Sequence, residues 1–118
     1  MSLHAALVRK SSLTEAQLES LISYVMIKRH EMRYREAAAS RSKGPVTIGS
    51  YYRTVLQGRD QVRKSIVTVL VALSIGLVKP DDVRRLFELV GRGNTELPDV
   101  DRKRFVEVLQ ELLDKIVM

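Results

Sequence analysis

Residues 47–76 read TIGSYYRTVLQGRDQVRKSIVTVLVALSIG, and this stretch decides the fold. Its apolar residues recur every three or four positions, which is the spacing of one face of an α-helix. Thr47 is placed to cap a first, short helix, and Gln57-Gly58 then interrupts the pattern. Asp60 is placed to cap a second helix, which Gly76 ends. The stretch therefore predicts two consecutive helices joined by a glycine turn.

The second of these helices leads into the longest apolar run of the chain, residues 66–78. A membrane span needs about twenty apolar residues, so this run is too short and no membrane partner is predicted. The second helix, which starts near Asp60, is therefore predicted to have an exposed start and a deeply buried end. Val67, Val71 and Ile75 extend the apolar surface beyond one face, which predicts a homodimer. The alternative is that the last helix of the same chain covers them.

The N-terminal part of the chain predicts one long helix. Ser12 and Glu15 have the spacing of a capping box, in which a hydroxyl and a carboxylate satisfy backbone N–H groups at a helix start. Apolar residues then recur at helical spacing, and no glycine or proline occurs before Gly44. We therefore expect a helix over residues 14–39.

The C-terminal part predicts two further helices. Pro80 suits the first position of a helix and Gly91 its end. Residues 92–98 are predicted as a loop, and the last helix is expected to begin near Asp99. The sequence as a whole predicts an all-α protein: a single domain over residues 1–118, built as a compact bundle of about five helices with a long N-terminal helix.

The net charge of +6 is unevenly distributed along the chain. Residues 1–65 contain 12 Lys/Arg and 5 Asp/Glu, whereas residues 66–118 contain 8 and 9. The net charges of the two parts are therefore +7 and −1. An excess of positive charge confined to one part is expected if that part contacts a polyanion. The alternative is that the basic residues only keep the surface soluble.

A short helix, a glycine turn and a second helix that opens with basic residues form a known combination. Residues 46–78, about a third of the chain, resemble in this respect the helix-turn-helix and winged-helix transcription regulators. In those proteins the start of the second helix lies in the major groove of DNA, where Arg, Lys and Gln reach base edges. The resemblance implies such a position for four residues: Gln61, Arg63, Lys64 and Thr68.

Other cations are expected to contact the phosphate backbone. Arg53 and Arg59 flank the predicted turn and carry charges that suit phosphates. The second half of the predicted N-terminal helix supplies four more cations: Lys28, Arg29, Arg33 and Arg35. The predicted partner of this surface is double-stranded DNA.

The sequence contains no set of residues typical of an active site, so we predict that the protein is not an enzyme. Cysteine is absent, and the two histidines, His4 and His30, lack acidic partners at a metal-binding or catalytic spacing. No metal, cofactor or small-molecule ligand is predicted. Without a signal sequence, a cytoplasmic location is expected. The predicted function is DNA binding, as a small transcription regulator or chromatin-associated protein; the alternative is a non-enzymatic protein-interaction or oligomerisation module.

Overall fold

The computed structural model describes residues 7–95 and 99–118, which form five α-helices and contain no strand. The helices are α1 (Glu15–Lys28), α2 (Tyr34–Ala39), α3 (Ile48–Ser74), α4 (Pro80–Thr95) and α5 (Asp99–Ile116), and a short 3-10 helix, Val8–Lys10, precedes them. The predicted all-α class is confirmed. None of the helices in the described part of the chain is both long and apolar enough to cross a membrane.

The chain divides into two compact units within α3. One unit is Ser11–Ser65, and the other comprises Ile66–Met118 with the N-terminal residues up to Lys10. This division falls where the charge balance of the sequence changes. Ser11–Ser65 contains ten Lys/Arg and five Asp/Glu, a net charge of +5. Ile66–Met118 contains eight and nine, a net charge of −1, and Arg9 and Lys10 bring the second unit to +1. The single domain expected for residues 1–118 stays a prediction.

The predicted long N-terminal helix is in fact two helices, α1 and α2. α1 ends because His30 takes a left-handed backbone conformation, with a φ of 62°. The His30 N–H donates to the Ile27 carbonyl and the Glu31 N–H to the Met26 carbonyl, which is the Schellman pattern of a helix end. This position is usually glycine, so a histidine there carries no stop signal. The prediction of one helix over residues 14–39 was therefore wrong.

α1 begins with a capping box, but two residues later than predicted from Ser12 and Glu15. The Gln17 N–H donates to Thr14 Oγ1 over 3.1 Å, and the Thr14 N–H donates to Gln17 Oε1 over 3.0 Å. The third helical residue is thus glutamine, which serves this motif as well as glutamate does.

α3 is one continuous helix of 27 residues, so the turn predicted at Gln57-Gly58 was wrong. Gly58 is buried against α1, and a Cβ atom at this position would lie 2.9 Å from Leu21 Cδ1. Glycine inside a helix costs about 1 kcal/mol relative to alanine. At Gly58 that cost accompanies a close approach between two helices. The two helices predicted within residues 46–78 are consequently a single element.

The two ends of α3 agree with the sequence-based prediction, whereas the cap predicted within it does not. The Ser50 N–H donates to Thr47 Oγ1 over 3.0 Å, so Thr47 caps the helix start. Gly76 has a φ of 78° just after the last turn, where a left-handed residue ends the helix. Asp60, predicted as a cap, instead lies inside α3, and its carboxylate pairs with the Lys64 ammonium group at 3.0 Å.

The core of Ser11–Ser65 joins α1, α2 and the start of α3. Its buried residues are Ala37, Ala38, Tyr51 and Val55. Partly buried apolar residues pack against them: Leu21, Tyr24, Ile27, Met32, Tyr34 and Val46. The Tyr51 hydroxyl donates to the Ser20 carbonyl over 3.0 Å and lies 2.6 Å from Ser23 Oγ. These hydrogen bonds hold the first turns of α3 against α1.

Burial along α3 runs opposite to the prediction. Its buried residues are Tyr51, Val55 and Gly58, all in the first half. Five large apolar side chains in and just after the second half are more than half exposed: Ile66 (58%), Val67 (52%), Leu70 (58%), Val71 (53%) and Ile75 (69%). The predicted buried end of this helix was therefore wrong. We call residues 66–75 the apolar segment.

The described side chains of the C-terminal helices leave the five large residues of the apolar segment more than half exposed. Within Ile66–Met118, α4 and α5 contact each other, and the buried apolar residues there are Val78 and Leu109. The Met118 N–H donates to the Leu77 carbonyl over 3.1 Å, so the chain end lies beside the turn after α3. These contacts leave Val67, Val71 and Ile75 exposed.

α4 and α5 begin where the sequence predicts, at Pro80 and Asp99. α4 does not end at Gly91, however, but continues to Thr95. Glycine ends a helix by taking a left-handed conformation, and Gly91 does not take one. The predicted loop is therefore helical in its first part, and its last residues, 96–98, lie outside the described part of the chain.

Candidate nucleic-acid interface

Four predicted DNA-contacting cations lie on the outer side of α3. Arg53, Arg59, Arg63 and Lys64 are all exposed. With a rotation of about 100° per residue, they fall within an arc of about 140° around the helix axis, outside the face that carries Tyr51. The helix thus presents them together as a broad basic surface.

Gln61 and Thr68 lie outside this arc. The same rotation places Gln61 about 160° around the helix from Arg63. Gln61 is also half-buried, while Thr68 is exposed. A helix that enters a groove presents one side to the bases, so Gln61 and Arg63 are not presented to one groove together. The structure does not group these two predicted base-reading residues.

Tyr24 of α1 connects the cations of the first and third helices. The Lys28 ammonium group lies 5.3 Å from the centre of the Tyr24 ring, and the Arg59 guanidinium lies 5.7 Å from the same centre. Both distances are within the range of cation–π attraction. Among the side chains that the structure describes, neither cation pairs with a carboxylate. Two positive charges from different helices are thus held at one ring.

Sequence reasoning assigned no specific role to Tyr24. The spacing of Tyr24 and Lys28, four residues apart on one helix, is a signal for their contact. The approach of Arg59 carries no such signal, because it depends on how α3 packs against α1.

The break between α1 and α2 groups further basic residues. Lys28, Arg29, Arg33 and Arg35 are exposed there, as is His30. An open cavity of about 510 Å³ lies at this break, and six residues line it: Ile27, Lys28, His30, Met32, Arg33 and Tyr34. The four cations were predicted as one group, but on a continuous helix, so the break and the cavity beside them were not expected.

Two cations of Ser11–Ser65 are paired with carboxylates, and one of them, Lys64, belongs to the basic surface. Lys64 is bridged to Asp60, although both side chains are at least half exposed, and such a pair contributes little stability. Arg41 Nε lies 3.8 Å from a carboxylate oxygen of Glu19, and the Arg41 side chain is only 13% exposed. The pairing reduces the charge that Arg41 offers to a ligand.

Glu19 also holds the loop that follows α2. Its carboxylate accepts hydrogen bonds from the Ser42 backbone N–H over 2.7 Å and from the Ser42 hydroxyl over 2.6 Å. The bond from the Ser42 hydroxyl lowers the pKa of Glu19 below its ordinary value of 4.5; burial opposes this shift, and the Ser42 N–H and Arg41 add to it. The charged carboxylate is therefore the form that stabilises this loop.

We expect Glu19→Gln to make the protein less sensitive to acid. A lowered pKa in the folded state adds stability above the unfolded-state pKa, and this stability is lost as the pH falls through the folded-state value. Because the Glu19 side chain is 35% exposed, we expect the substitution to lower the free energy of unfolding by only about 1 kcal/mol at pH 7. Urea unfolding at several pH values from 7 to 3 measures this free energy. Wild type and variant should converge at the acid end, and parallel curves would contradict the assignment.

Within the described residues, no three side chains of the types His, Asp and Glu come together as a metal-binding group.

A scan against protein-family models and searches of curated proteins and of solved structures found no match to this chain.

Proposed function

We propose that this protein binds the backbone of double-stranded DNA through the basic surface of Ser11–Ser65. The observation that carries the proposal is the meeting of Lys28 and Arg59 at Tyr24, because it joins cations of α1 and α3 into one surface. The unit that carries this surface has a net charge of +5. Cations that lack carboxylate partners are available to neutralise phosphates.

The proposal is one of phosphate contact and not of base reading. Arg53, Arg59 and Arg63 lie on the outer arc of one uninterrupted helix, α3, whereas Gln61 lies on another side of it. Phosphate contacts fix the position of a protein on a duplex but carry no sequence information. We therefore expect similar affinities for duplexes of different sequence. A role in transcription regulation or chromatin is the cellular setting that this activity suits.

Lys28→Ala/Arg59→Ala is expected to weaken DNA binding and to reduce its salt dependence. Each phosphate contact releases counterions and contributes about −0.9 to the slope of log affinity against log salt, so two lost contacts reduce the slope by about 2. Fluorescence anisotropy with a labelled random-sequence duplex measures both quantities.

Arg85→Ala/Lys115→Ala is the matched control for this experiment. It removes the same charge from exposed positions in α4 and α5, outside the basic unit. Equal losses in the two double variants would show a dependence on net charge alone and overturn the proposed surface. Failure of the wild type to bind DNA at low salt would reject the function itself.

We also propose that the chain forms a homodimer, and the exposed apolar segment is the observation that supports this second function. Burying the exposed half of each of its five large side chains contributes about 1 kcal/mol of association free energy per side chain, or about 10 kcal/mol for two copies. Association costs about 4–15 kcal/mol, so we expect a reversible dimer. Sedimentation equilibrium should show the dimer at high protein concentration, and a monomer throughout would reject this proposal.

A further inference from the structure

The apolar segment carries no charge, and its two ends differ electrostatically. No Asp, Glu, Lys or Arg occurs in residues 65–78. Residues 59–64, with a net charge of +2 that includes Asp60, lie just before the segment on α3, and Lys79–Asp82, with a net charge of −1, follows it. Any partner that covers the segment must offer an uncharged apolar surface of similar length. The same segment of a second copy meets this requirement.

We infer that two copies pair through their apolar segments with the α3 helices antiparallel, centred near Val71. This inference rests on the proposed homodimer and names its interface and orientation. Val67, Val71 and Ile75 are spaced four residues apart, so they form one ridge that packs against a neighbouring helix. A twofold axis at Val71 sets this ridge against itself, with Val67 opposite the partner's Ile75.

Electrostatic repulsion favours the antiparallel orientation over the parallel one. Parallel pairing brings Arg59, Arg63 and Lys64 to the level of the same three residues of the partner, on helix axes about 10 Å apart. That distance is about one Debye length at 0.1 M salt, so the repulsion is only partly screened. Antiparallel pairing separates the two Arg59 positions by about 36 Å along the helix axis, at 1.5 Å per residue. The repulsion between them is then screened.

Antiparallel pairing also brings unlike charges towards each other. The basic end of each α3 comes to the level at which the partner's α3 has ended and its chain continues into Asp81 and Asp82. Complementary charges at both ends of an interface fix its orientation and register. Charge complementarity and the uncharged centre thus select the same pairing.

Cysteine cross-linking distinguishes the two orientations, because the native chain has no cysteine. A disulfide requires Cα atoms within about 7 Å. In the antiparallel dimer, Val67 lies about 12 Å along the axis from its counterpart but opposite Ile75. We therefore expect the Val67→Cys and Ile75→Cys proteins, mixed and oxidised without DNA, to form a mixed disulfide dimer. Each protein oxidised alone should form little disulfide-linked dimer, and the Val71→Cys protein should cross-link to itself.

Two results overturn the inference. Strong cross-linking of the Val67→Cys and Ile75→Cys proteins alone would show the parallel orientation. No cross-linking of the Val71→Cys protein would place the interface elsewhere. Sedimentation equilibrium of the same samples after reduction separates failure of the inference from failure of the proposed homodimer. A dimer that does not cross-link at Val71 rejects only the pairing, whereas a monomer rejects both.

Discussion

Val71→Glu is expected to make the protein monomeric and to weaken its binding to a DNA duplex by about 100-fold. Val71 is 53% exposed at the centre of the apolar segment, so a glutamate is tolerated in the free chain. In a paired segment the same carboxylate is removed from water without a positive partner, which costs several kcal/mol. We expect both basic surfaces of the proposed dimer to bind one duplex, so that the second contact is intramolecular, and the monomer loses this contact.

Val117→Glu is the matched control for this substitution. Val117 is 52% exposed and lies after the end of α5, so the residue change, the charge and the exposure are nearly the same. The Val117→Glu variant shows how much an added negative charge by itself weakens DNA binding. Sedimentation equilibrium and fluorescence anisotropy are measured on both variants. A dimeric Val71→Glu protein would contradict the interface, and a monomeric one with unchanged DNA affinity would separate dimerisation from DNA binding.

The helix ends that the sequence predicts correctly are those at which its usual signals apply. Thr47 caps the start of α3, and Gly76 ends it in a left-handed conformation. α4 and α5 begin at Pro80 and Asp99, as expected. The end of α1 is not predictable in this way. His30 holds a left-handed conformation that glycine or asparagine usually occupies, and the hydrogen bonds that fix it involve backbone atoms only.

The burial of an apolar segment cannot be predicted from its composition alone. The hydropathy of residues 66–78 predicts that something covers this helix, but the pattern is the same whether another helix of the chain or a second molecule does so. The charge pattern is more informative about the candidate site. It changes at the boundary between Ser65 and Ile66, where the structure also divides. The grouping of Lys28 with Arg59 depends on how α1 packs against α3, so it cannot be predicted from the sequence pattern.

Gly58 is the position at which the sequence pattern and the packing differ most. As a turn residue it would need backbone freedom, and a side chain would affect only the turn. In the structure it needs space, because an added Cβ would lie 2.9 Å from Leu21 Cδ1 and 3.1 Å from Leu21 Cγ. The second distance involves a branch point of the side chain, so Leu21 cannot avoid the contact by rotating its terminal methyl groups alone.

Gly58→Leu is therefore expected to destabilise the protein by about 2 kcal/mol, because an overpacking cost of about 3 kcal/mol exceeds the gain in helix propensity of about 1 kcal/mol. Leu21→Ala removes the opposing side chain and should recover at least about 1 kcal/mol in the double variant. Gly49→Ala is the control, since a Cβ there has no neighbour within 4 Å and should stabilise α3 by about 0.5 kcal/mol. Urea unfolding measures all four variants. Equal effects of Gly58→Leu with and without Leu21→Ala would show that Gly58 does not serve this contact.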